Sequence, residues 1–109
     1  MPMFAIERDM TGWSDEDIEA SVWRAQMCAF FFSDFQWHRS FLDRERQQTT
    51  CYYEAKHEAD VREHARLADL PCGAVCLVEQ VLPNVVDPPT EADARAFVER
   101  EPVAEPAGD

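Results

Sequence analysis

A thiol, a carboxylate and two imidazoles fall within one short block of this chain. Cys51 and Glu54 stand in Cys51-Tyr52-Tyr53-Glu54-Ala55; His57 follows, and His64 lies in Arg62-Glu63-His64-Ala65-Arg66 ahead of Leu70-Pro71. Thiolate and imidazole both suit soft or borderline ions such as nickel or zinc, and an enclosed imidazole can also carry a proton. Either chemistry needs the groups to converge, so the elements that hold them decide the matter. Gln48 to Glu54 is rich in β-branched and aromatic residues and reads as a strand. Glu58 to Leu70 reads as a helix stopped by Pro71, with Val61, Ala65 and Ala68 forming a narrow stripe that permits close approach to a sheet. His57 and His64 lie at nearly one helical angle with Val61 between them, which turns His64 inward and leaves His57 at the exposed helix start. Cys51 then shares the helix-facing interior with His64, while Glu54, of opposite strand parity, points to the other face. These are two candidate sites. The commoner fates are a cysteine packed as a small hydrophobe and a histidine hydrogen-bonded in the core.

A second set consists of Glu7, Glu54 and Glu79, placed on three strands that a ferredoxin-like sheet makes adjacent. With matching parity, all three project from the open face. Carboxylates crowded there would hold a cation, share a proton, or pair with Arg8, Arg39 or an arginine of a partner chain. His38 and Gln36 join this face, or Trp37 and Arg39 do so instead; the polarity of their strand leaves both arrangements open. Cys72 and Cys76 have a spacing that belongs to no strong metal signature and read as structural. With only Gly12, Gly73 and Gly108, phosphate-cradling loops are excluded, and no nucleophile elbow or H-E-x-x-H pattern is present.

The elements that must position these groups can be read from periodicity. Met3 to Arg8 alternates Phe4 and Ile6 against Ala5 and Glu7, a half-buried strand. Ser14 can cap a helix running from Asp15 to about Phe32, with Asp15, Glu16 and Asp17 favoured by its dipole. Ile18, Val22, Ala25, Ala29 and Phe32 form its core stripe. Trp23, Met27, Phe30 and Phe31 form a second apolar surface, expected to lie under the C-terminal segment or another subunit. Phe35 to Leu42 is the second strand, with Phe35, Trp37 and Phe41 at alternate positions. Asp43 to Gln47 is the hairpin connection, and Ala74 to Leu82 is the fourth strand. The order strand, helix, strand, strand, helix, strand is that of an α+β ferredoxin-like fold, a four-stranded antiparallel sheet with both helices on one face. Its open face predicts a homodimer. Residues 1–83 make the domain. Residues 84–109 make a Pro/Ala/acidic tail with a short helix at about Glu91 to Arg100, and Pro102 to Asp109 is expected to be disordered.

The bulk properties narrow the partners. The 109 residues suit one domain, and a net charge of -12 with Lys56 as the only lysine argues against nucleic acid and anionic membranes. No run approaches the roughly 18 apolar residues of a membrane span, and no secretory signal opens the chain. A cytoplasmic protein with reduced thiols at Cys28, Cys51, Cys72 and Cys76 is expected.

Ile6-Glu7-Arg8, Trp37-His38-Arg39-Ser40, Cys51-Tyr52-Tyr53-Glu54-Ala55 and Arg62-Glu63-His64-Ala65-Arg66 with Leu70-Pro71 together carry a resemblance. From about Met3 to Val81 the chain resembles a family of small bacterial ferredoxin-like proteins described as nickel-binding-protein-like. The resemblance implies a homodimer of ferredoxin-like subunits with nickel binding as its activity. The leading expectation is thus a non-enzymatic dimer holding nickel or another transition metal. Its ligands are Cys51 and His64, or the set around Glu7 and Glu54 with His38. The competing classes are a dimeric α+β barrel enzyme using Glu54 or His38 as acid or base, and an interaction module that receives a partner at Trp23, Met27 and Phe30.

Overall fold

Alternation along the first and third strands creates the two faces of the sheet. The structure, a computed structural model, describes residues 1–100. In β1 (Met3–Asp9), Phe4, Ile6 and Arg8 are buried, and in β3 (Gln48–Glu54), Thr49, Cys51 and Tyr53 are buried. β2 (Gln36–Asp43) and β4 (Val75–Val78) flank them in the order β2-β3-β1-β4, with every pair antiparallel. The helices α1 (Asp15–Cys28) and α2 (Glu58–Leu67) pack against the buried face and against each other, joined by Arg24 Nε donating to the Ala68 carbonyl at 2.8 Å. Phe4, Ile6, Cys51, Tyr53, Ala55, Val61 and Ala65 make the core, and the opposite face is open, giving the ferredoxin-like α+β fold.

The helices start and stop for local reasons. Ser14 and Asp17 form a reciprocal capping box at the start of α1, which satisfies two otherwise unpaired N–H groups. α1 buries Ala25 of the predicted stripe together with Ser21 and Cys28; of the rest of that stripe, Ile18, Ala29 and Phe32 are half-buried and Val22 is exposed. Small residues let α1 approach α2 closely, and the Ser21 hydroxyl donates to the Ile18 carbonyl at 2.6 Å, so its burial leaves no unpaired donor. The helix ends at Cys28, and its last turn tightens to a 3-10 helix over Ala29–Phe31. α2 ends at Leu67, short of the predicted Leu70. Asp69 turns left-handed at φ 55, and the Leu70 amide bonds back to the Ala65 carbonyl at 2.9 Å, a closure that precedes Pro71.

One further expectation is corrected and another is narrowed. β4 spans Val75–Val78 instead of Ala74 to Leu82, because its partner β1 begins at Met3, opposite Val78, and Pro2 before it has no N–H to extend the ladder. Trp23, Met27, Phe30 and Phe31 remain exposed, and α3 (Glu91–Glu99), capped by Thr90 and Asp93, buries none of its residues. Among the described residues the C-terminal segment therefore does not cover that surface. The disorder expected for Pro102 to Asp109 lies outside the described residues.

Candidate functional site

Strand two carries an irregularity that settles which of its residues reach the open face. Trp37 pairs with Tyr53 and Arg39 with Tyr52, so His38 is an extra residue opposite no partner, a β-bulge. Before the bulge, Trp37 lies on the helix side with Tyr53, their rings stacked at 6.3 Å. After it the parity reverses: Ser40 and Leu42 pair with the buried Cys51 and Thr49, and Arg39 and Phe41 go to the open side. The alternate aromatics thus do not share a face. Phe41 sits edge-on to Tyr52 at 6.2 Å, on the opposite side of the sheet from Trp37.

The bulge delivers His38 to Glu54. Nε2 lies 2.7 Å from Oε1, and both side chains are about three-quarters buried, at 23% and 31% exposure. His38 of this pair borders a depression of ≈ 380 Å³ on the open face, lined also by Met3, Phe41, Tyr52 and Glu79. Glu7 does not belong to it. By register Glu7 stands opposite Thr50, four residues along β3 from Glu54, which is about 13 Å at the rise of a strand. The Glu7 backbone is instead tied to the turn before β4, its N–H donating to the Ala74 carbonyl and its carbonyl accepting from Gly73.

Inside, His64 is fully buried and its Nε2 lies 2.8 Å from the Ala25 carbonyl. A carbonyl only accepts, so Nε2 carries the proton and Nδ1 bears a lone pair; Nδ1 is buried without a partner. The rings of Phe32, Phe35 and Tyr53 surround the imidazole at 4.7 to 5.9 Å. Burial pushes the His64 pKa down, the bond to Ala25 opposes this, and the Arg8 charge adds to the lowering. Cys51 is also buried, with Sγ 3.9 Å from Thr49 Oγ1. The two candidate interior ligands share the core but do not hydrogen-bond each other. Among the described residues no group of three or more His, Cys, Asp or Glu side chains is placed to hold a metal ion. All four cysteines are unpaired.

Arg8 was expected as an arginine available to the open-face carboxylates. The structure puts it on the other side, 3% exposed, donating from Nη1 to the Pro71 carbonyl at 2.7 Å and from Nη2 to the Tyr53 hydroxyl at 3.2 Å. Its parity with Phe4 and Ile6 was the signal that could have shown this. Burial outweighs the neighbouring guanidinium at Tyr53 and pushes the phenol pKa up to about 12.

Residues 4–78 match the sequence pattern of a family described as "Nickel responsive protein SCO4226-like". No curated protein matches the chain. The crystal structure of SCO4226 from Streptomyces coelicolor A3(2) is similar at a TM-score of 0.64 and 12% identity, covering 73% of this chain and 99% of that one. At that identity the likeness concerns the fold. No helix among the described residues is long and apolar enough to cross a membrane.

Proposed function

This chain belongs to the family of nickel responsive SCO4226-like proteins, and we propose that it binds nickel or a similar transition-metal ion as a homodimer, using His38 and Glu54. The family description supports the metal, and the observation that carries the site is the 2.7 Å approach of His38 Nε2 to Glu54 Oε1 beside an open depression. An imidazole nitrogen and a carboxylate oxygen at that separation can occupy neighbouring positions on one ion, and mixed N,O donors suit nickel(II). One chain brings two such donors, fewer than an ion of this kind takes. A second copy facing the first across the open sheet would double them, and Met3, Phe41, Tyr52 and Val78 on that face supply apolar area for the contact. The interior pair is the poorer site: three aromatic rings pack around His64, and a pair enclosed within one subunit gains no donors from a second copy.

Titration calorimetry with nickel chloride, alongside light scattering on the eluted protein, tests the reading. One ion per two chains is expected, with binding abolished in His38→Ala and weakened in Glu54→Gln. Absence of any binding by the wild-type protein sinks the proposal. Loss of binding in His64→Ala, with His38→Ala unaffected, would move the metal to Cys51 and His64 inside.

A further inference from the structure

The guanidinium of Arg8 is a full positive charge enclosed by the fold, since arginine keeps its proton in proteins, and no carboxylate among the described residues pairs with it. Its two hydrogen bonds go to a neutral carbonyl and a neutral phenol and use two of its five donors. A buried charge without a counter-charge is among the costlier arrangements a fold can hold. It is the more notable in a chain with a net charge of -12, where carboxylates are plentiful.

Arg8 lines a cavity of ≈ 280 Å³ between α1 and the helix-facing side of β2 and β3. The other polar groups on its wall are Ser21, Ser40, Thr49, Cys51 and Tyr53; Ile18, Val22, Trp37 and Leu42 contribute apolar wall. The Tyr53 oxygen already accepts from Arg8, so its own proton is left to donate. A guanidinium and a phenol proton on the wall of a mostly apolar chamber match a carboxylate on an apolar body, because a carboxylate accepts both kinds of donor and forms paired bonds with arginine. The cavity lies across the sheet from His38 and Glu54 and is independent of any metal held there.

We propose that this cavity binds a small monocarboxylate with an apolar body, its carboxylate held by Arg8 and Tyr53 and its body between α1 and strand β2. The probe is sodium benzoate, added to the full chain and followed by calorimetry and thermal melting, with acetate and inorganic phosphate as comparisons. Benzoate is expected to bind one per chain and raise the melting temperature. Acetate, lacking the apolar body, should bind more weakly, and phosphate should not bind. Arg8→Gln should weaken benzoate roughly tenfold or more, the scale of a lost charge-assisted hydrogen bond. Val22→Trp, which fills the chamber from its exposed rim and leaves Arg8 in place, should abolish binding and decides the matter if Arg8→Gln fails to fold. No benzoate binding by the wild-type chain, undiminished binding in either folded variant, or phosphate binding as tight as benzoate would each overturn the proposal.

Discussion

The buried imidazole of His64 makes stability depend on pH in a direction that can be worked out in advance. Its folded pKa lies below the ordinary value of 6.5, chiefly because burial disfavours the imidazolium. Below pH 6.5 the unfolded chain therefore takes up a proton that the folded chain refuses. The stabilising contribution is complete above about pH 6.5 and is lost as pH falls toward the folded pKa. One group can impose a slope of at most about 1.4 kcal/mol per pH unit, and each kcal/mol moves the melting temperature by roughly 4–8 °C in a domain near this size. The groups facing His64 do not blur this window: Tyr53 is neutral with its pKa pushed up to about 12, and Arg8 stays charged. Asp9, Asp17, Glu63 and Asp93 are held below their ordinary carboxylate values by hydrogen bonds, so their effects fall at lower pH. Urea denaturation from pH 5 to 7.5, followed by tryptophan fluorescence, should show wild-type stability declining with acid below about pH 6.5. In His64→Gln, which keeps an N–H for Ala25 but cannot titrate, the decline should be smaller by the His64 share, whatever the offset at pH 7.5. His38 and His57 are common to both proteins, so the comparison isolates His64. Equal slopes in the two proteins would refute the burial argument.

Two other substitutions probe the scaffold. Gly73 sits so close to β1 that an added Cβ would meet the Glu7 carbonyl oxygen at 2.7 Å; Gly73→Ala should destabilise by about 1–3 kcal/mol, the usual range for an overpacked site, read as a lower urea midpoint at unchanged slope. Ser14→Ala removes the hydroxyl that caps α1 and should cost about 1 kcal/mol, read the same way.

What could be read from the sequence depended on whether local rules held without interruption. Strand β3 was predicted at its observed bounds because alternation runs unbroken from Gln48 to Glu54, and the same alternation placed Cys51 inside and Glu54 outside. The inward turn of His64 followed from a stripe of Val61, Ala65 and Ala68, all fully buried. Strand β2 was legible only as a strand. A bulge is a mismatch between two strands rather than a property of one, so neither the reversal after His38 nor the outward position of Phe41 could be derived from residues 35–42 alone. The length of β4 was hidden for a related reason, since it is limited by where β1 begins. Separation of Glu7 from Glu54 likewise required the register, because parity assigns a face but no height along the strand.

The bulge at His38 explains why the open face and the interior can carry different chemistry on one thin sheet. Continued alternation from Trp37 would send Arg39 and Phe41 inward and Ser40 and Leu42 outward. It would turn a second guanidinium to the face that already buries Arg8, where a charge is poorly solvated. One extra residue instead sends Arg39 and Phe41 out to the depression and leaves Ser40 and Leu42 to line the chamber near Cys51. The same residue is the one that reaches Glu54. Deleting His38 would close the bulge and leave Arg39 opposite Tyr52 and Ser40 opposite Cys51 in unbroken alternation, so the residues from Arg39 to Asp43 should keep their faces, the proposed metal pair should be lost and the proposed anion chamber should survive. Substituting His38 by alanine should likewise cost the metal pair alone, and loss of benzoate binding in either variant would refute this account of the bulge.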